Sequence, residues 1–250
     1  MNEKIPFLIQ KMEIPSYLSD CKGLLRLDAL FMLLQEMSNK HASLLGAGWH
    51  DLQKNNAFWV ITKMSLKINR MPRWTENIIL RSWVRPSEIA TSPRDYEIED
   101  EAGNILISGS SVWAILDTEH GRPQRMSNYD GVFPKQDRMA DCEKPKKIAP
   151  LHIPEQASFA KDVETSDIDM NLHVNNAHYI QWALNSVDTE YYKTHTLNQV
   201  FVNFIAQAKL GDKYSVHSEK TAEDAFSTAI FSPESGKEFC RIATKWIPLV

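Results

Sequence analysis

The chain has 250 residues, 43% of them hydrophobic and 24% charged, with a formal net charge of −4. This is the profile of an ordinary globular protein of one large domain or two small ones, and its charge argues against nucleic acid as the main partner. No apolar run approaches a membrane span, no basic-then-apolar leader opens the sequence, and Cys21, Cys142 and Cys240 offer neither a metal spacing nor a redox pair, so a cytoplasmic protein without membrane, metal or cofactor is expected.

In chain order, the first element is a helix. Asp28 is placed to cap it, it runs through Ala29–Met37 to Leu45, and Gly46 can stop it. Leu30, Leu33, Leu34, Met37, Leu44 and Leu45 favour one face, and the stretch is apolar enough to be core. Strands are expected over Phe58–Ile68 and Ile78–Val84. A hairpin follows, with Arg94–Asp100, a turn at Gly103 and a strand reaching Trp113. From about Asp117 to Gln156 the composition is that of a linker, broken by Pro123, Pro134, Pro145, Pro150 and Pro154. It exceeds an ordinary loop in length and is expected to lie across the surface between two units. A second helix is expected from about Asn176 to Val187, then strands over Val200–Ala206 and Tyr214–Lys220. A second hairpin joins Ala225–Phe231 to the run from Gly236 to Trp246.

The two hairpins are in register, since 236 − 103 = 246 − 113 = 133. Each half thus reads as a helix followed by antiparallel strands, an α+β plan used twice. Trp113 and Trp246 are expected to pack in the sheets.

The stretch Asp169-Met170-Asn171-Leu172-His173-Val174-Asn175-Asn176 carries the chemistry. On extended backbone, Asp169, Asn171 and His173 point the same way and can face one pocket. A carboxamide can hold a carbonyl or a water, an imidazole can move protons near neutral pH, and free N–H groups at a helix start can stabilise an oxyanion. Asp and Asn before a helix are also ordinary caps. No Gly-x-Ser-x-Gly, P-loop or dinucleotide fingerprint is present.

This stretch resembles the catalytic-loop motif of acyl-ACP (acyl carrier protein) thioesterases, Asp-x-Asn-x-His-Val-Asn-Asn followed shortly by Tyr. Asp169, Asn171, His173, Val174, Asn175, Asn176 and Tyr179 all fit. The resemblance implies two tandem hot-dog units, each a long helix wrapped by an antiparallel sheet. Residues 1–142 would form an N-terminal unit that holds the acyl chain, 143–156 a linker, and 157–250 a C-terminal unit with the catalytic groups. It implies hydrolysis of acyl-ACP to free fatty acid and ACP, terminating fatty acid synthesis. Water is then the nucleophile and His173 the base. Asp169 fixes the imidazole or helps hold Asn171, Asn171 positions the carbonyl or the water, and N–H groups from Val174 to Asn176 form the oxyanion site.

Two positions depart from the family. Gln207 stands where the family carries a catalytic-site Glu, and Ala208 where plant members often carry Cys. Ala208 excludes a nucleophilic cysteine there, and Gln207 can orient water but cannot accept a proton. Glu164 is an alternative acid. An acidic carrier calls for basic residues near the pocket mouth, and Arg70, Arg73, Arg81, Arg85, Lys144, Lys146 and Lys147 are candidates, though each is more often plain surface charge. An acyl-CoA thioesterase and a non-catalytic acyl-binding hot-dog protein are the alternatives, and a homodimer stays open.

Overall fold

The computed structural model describes residues 5–153 and 159–249. Pro154 and Gln156 of the expected linker, and the expected start of the second unit at residue 157, lie outside the described residues. The first helix, α1 (Leu27–Leu44), starts one residue before Asp28, so Asp28 is not its cap. Arg26 occupies that position, and the Asp28 carboxylate, inside the first turn, pairs with its guanidinium at 3.2 Å. A negative charge there suits the positive end of the helix dipole. Leu30, Leu34 and Met37 are buried as expected, whereas Leu44 is 60% exposed at the frayed end. Gly46 follows at φ +77, a conformation that favours glycine.

The strands are β1 (Leu8–Glu13), β2 (Ala57–Ile68), β3 (Asn77–Val84), β4 (Ser92–Asp100), β5 (Ile105–Asp117), β6 (Lys161–Asp162), β7 (His195–Phe204), β8 (Lys213–Ala222), β9 (Ala225–Phe231) and β10 (Glu238–Pro248). The remaining helices are α2 (Trp49–Gln53), α3 (Asn176–Leu184) and α4 (Thr189–Thr194). The sequence reading lacks β1, the two-residue β6, α2 and α4. β1 is a half-buried edge strand, and α2 and α4 are too short to show a helical period. α3 ends at Leu184 rather than Val187, because Asp188 caps α4 by accepting from the N–H groups of Glu190 and Tyr191.

All strands join one antiparallel sheet in the order β1-β3-β4-β5-β2-β7-β10-β9-β8-β6. The two halves meet where β2 pairs with β7, Ser65 standing opposite Phe201. α1 and α3 pack against each other inside the curved sheet, which gives two tandem hot-dog units. The duplication extends to single hydrogen bonds. Trp113 and Trp246, 133 apart, each donate the indole N–H to a hydroxyl two residues earlier, Ser111 at 2.8 Å and Thr244 at 3.0 Å.

Residues beyond β5 form a strap over the outer face of the sheet, held strand by strand. Trp83 of β3 donates to the Arg138 carbonyl, and Ala140 donates to Asp95 of β4. Ser65 of β2 donates to the Glu143 carbonyl, and Asn203 of β7 bonds both Lys146 and Ile148. Arg241 of β10 reaches the Ile148 carbonyl at 2.5 Å.

Candidate active site

The segment Asp169–His173 is a tight turn and not the extended run expected. The Asp169 N–H donates to the His173 carbonyl at 2.9 Å, and one Asp169 carboxylate oxygen accepts from the Asn171 N–H at 2.8 Å. This side-chain bond makes a short carboxylate a turn former. Leu172 is left at φ +61, an unfavourable conformation for a side chain of its size.

The turn still delivers its side chains to one place. Asp169, Asn171, His173 and Gln207 all line a cavity of about 730 Å³. Its other wall comes from the first half: Gln35 and Asn39 of α1, Trp49 of α2, Phe58 to Thr62 of β2, and Trp113 of β5. Trp113 therefore does more than pack in the sheet. Gln207 is exposed, while Ala208 behind it is fully buried, accepting from the Val174 N–H and donating its own N–H to the Tyr179 hydroxyl at 2.9 Å.

Trp49 is the residue that sequence reasoning missed. Its indole N–H donates to Asn171 Oδ1 at 2.8 Å. Tryptophan can only donate, so this bond fixes the amide orientation and leaves Asn171 Nδ2 as the atom without a partner among the described residues. A carbonyl oxygen, an acceptor, complements it. No spacing in the sequence could reveal a contact between residues 122 apart. Gly48 lets the chain before α2 close against the end of α1, since a Cβ there would sit 2.7 Å from the Ser43 Cα.

His173 Nδ1 is buried with no hydrogen-bond partner among the described residues, so Nε2 is the nitrogen that meets the cavity. Burial pushes the imidazole below its ordinary pKa, the Lys209 charge pushes the same way, and Asp169 opposes them. The ring is therefore neutral at pH 7 and can take a proton. Of the two roles expected of Asp169, its carboxylate takes the second and holds Asn171 through the backbone N–H; it makes no hydrogen bond to His173 among the described residues and acts on the ring through its charge.

The oxyanion site also needs correction. The Val174 and Asn175 N–H groups donate to the carbonyls of Ala208 and Asp167 and have nothing to spare. The Asn175 side chain caps α3 by accepting from the Ala177 N–H at 3.0 Å. Of the three, only the Asn176 N–H is without a partner among the described residues, at the positive end of α3. Glu164 does not line the cavity; the carboxylates that do are Glu36 and Asp169.

None of the seven basic residues expected at the mouth lines the cavity. Arg70 forms a paired bond to Glu76 at 2.8 and 2.5 Å, Arg81 one to Glu99, and Lys146 pairs with Glu143. Their spacing in the sequence carried no information about these partners.

Comparison with known proteins gives the family and the fold. Residues 7–129 match the family described as the acyl-ACP thioesterase N-terminal domain, and residues 153–248 the acyl-ACP thioesterase C-terminal domain. An oleoyl-acyl carrier protein thioesterase of Coriandrum sativum chloroplasts is 30% identical over 216 residues, 79% of this chain and 58% of that protein. The chloroplastic acyl-(acyl-carrier-protein) hydrolase FATB3 of Cuphea viscosissima is 27% identical, over 96% of this chain and 62% of its own length. The chain thus spans about three fifths of the curated relatives it matches. The fold is shared with an acyl-ACP thioesterase of Bacteroides thetaiotaomicron, at 23% identity, 97% and 98% coverage and a TM-score of 0.88. It is also shared with a 12:0-ACP thioesterase of Umbellularia californica, at 19% identity, full coverage and a TM-score of 0.83.

Proposed function

The chain belongs to the acyl-ACP thioesterase family, and on that footing we propose that it hydrolyses an acyl-ACP thioester to free fatty acid and ACP in the cytoplasm, ending fatty acid synthesis. One observation carries the reading: a neutral imidazole, an amide of fixed orientation and a helix N–H line the same cavity. The acyl chain lies along the apolar wall of the first half, residues 1–142, which serves as its holder, while residues 157–250 supply the chemistry. Asn171 Nδ2 and the Asn176 N–H donate to the thioester carbonyl oxygen. Water attacks the carbonyl carbon as His173 Nε2 takes its proton, and Gln207 orients that water without accepting a proton. The same two donors hold the tetrahedral oxyanion, which needs no reorganisation at the moment of attack. Collapse breaks the carbon–sulfur bond, and the imidazolium returns its proton to the departing thiolate. Lys209, close enough to act on His173, is a better candidate for meeting an acidic carrier than the seven cations expected from sequence.

The test is thiol release from acyl-ACP and acyl-CoA panels. His173→Ala and Asn171→Ala should each lower turnover of acyl-ACP by about a hundredfold, the scale of losing a base or an oriented donor, with the melting temperature unchanged. Near-wild-type rates in both variants would remove this mechanism. Turnover confined to acyl-CoA would favour that carrier instead.

A further inference from the structure

A guanidinium sits in the core with no carboxylate partner among the described residues. Arg94, on the inner face of β4, is 6% exposed. Its Nη1 donates to Ser82 Oγ at 2.9 Å and to His41 Nδ1 at 3.0 Å. His41 Nε2 lies 2.9 Å from the Ile5 carbonyl and donates to it, so the ring is the neutral tautomer and supplies no charge. Tyr96 bonds Ser38 and Ser111 instead. Asp95 points to the opposite face, where it accepts from Ser110 and Ala140. Arg94 Nε and Nη2 have no partner among the described residues.

Arg94 borders a small space lined also by Ser38, Asn39 and Ser92. Asn39, Ala42, Trp59 and Trp113 line both this space and the large cavity, so the two adjoin. The small space holds about 20 Å³, room for one oxygen atom. A charged donor buried without its full set of acceptors is costly. An apolar chain end arriving there would leave that deficit in place.

Resting on the acyl-cavity reading above, we propose that this space receives a hydroxyl carried at the far end of the acyl chain. The site thereby prefers hydroxylated acyl groups over plain ones of the same length. The hydroxyl oxygen accepts from Arg94 Nε or Nη2, and its proton is donated to Asn39 or Ser92.

Binding of acyl N-methylamides, thioester surrogates with no carboxylate of their own, tests this by calorimetry across a ladder of chain lengths. At the length that reaches Arg94, the terminal alcohol should bind about tenfold more tightly than the plain chain, the scale of one charge-assisted hydrogen bond. Arg94→Met should abolish that preference while binding plain chains at least as well. Equal binding of both series by the wild type at every length would overturn the proposal, and so would a preference that survives in Arg94→Met. The wild-type ladder decides even if that variant fails to fold. Because no turnover is read, a protein that releases no thiol from acyl-ACP would fail the hydrolase reading and leave this test intact.

Discussion

Trp49 shows how much of a site can rest on one donor that performs no chemistry. Its indole N–H decides which end of the Asn171 amide faces the cavity. Trp49→Phe keeps the ring and removes the donor, so the amide becomes free to turn its oxygen toward the carbonyl. We expect a fall in kcat of about tenfold, the scale of one buried hydrogen bond, with little change in KM for acyl-ACP. In the proposed mechanism His173 sets the acid limb of the pH–rate profile. Its pKa is lowered by burial and then by Lys209, with Asp169 opposing, so the limb in kcat/KM should fall below the ordinary histidine value of about 6.5. Lys209→Gln should move the limb up and Asp169→Asn should move it down. Shifts in the same direction would show that His173 is not the titrating base.

The turn Asp169–His173 is an element used twice, and its twin in the first half carries different side chains. Shifted by 149 (169 − 20 = 173 − 24), the turn Asp20–Leu24 repeats the backbone bonds of Asp169–His173. Asp20 N–H reaches the Leu24 carbonyl at 2.8 Å, and Lys22 N–H reaches the Asp20 carboxylate at 2.8 Å. Gly23, at φ +70, stands where Leu172 is strained. Lys22 replaces the carboxamide and Leu24 the imidazole, so the smaller cleft beside this turn, about 380 Å³, holds no base at that position. Lys22 instead ties the halves together, donating to the carbonyls of Tyr192 and His195 at 2.8 and 2.9 Å while Tyr192 donates to Asp20. Lys22→Met should therefore cost stability, on the order of 2 kcal/mol in urea titrations, with kcat unchanged. The sequence showed this element only by half. The polar triplet stood out because three reactive side chains fall within five residues. The twin did not, because its evidence is a backbone path, and Asp-x-Lys-x-Leu shares one side chain with Asp-x-Asn-x-His. Helices and strands long enough to show a period were legible; α2, which carries Trp49, was not.

At the scale of the molecule, stability couples to the buried ring of His41. Its pKa is lowered to about 4 by burial and by the Arg94 charge. The unfolded chain takes a proton on this residue near pH 6.5, and the folded chain refuses it until about 4. Stability is therefore full above 6.5 and is lost as pH falls toward 4, by on the order of 3 kcal/mol in total. His41→Asn should flatten urea midpoints across that window, and an unchanged slope would place the acid sensitivity elsewhere. The whole sheet was legible as two hairpin-bearing halves, but its single continuous form was not, since the β2–β7 seam joins residues with no pattern in common. That seam has a consequence for synthesis. Lys63 waits for Asn203, 140 residues later (203 − 63), so at about 5–20 residues per second a nascent chain holds the outer edge of β2 bare for on the order of ten seconds. An unpaired edge of this length invites pairing with other chains. The strap emerges before β7, and its bond from Ser65 to Glu143 can cover the outer face of β2 while the edge still waits for its partner.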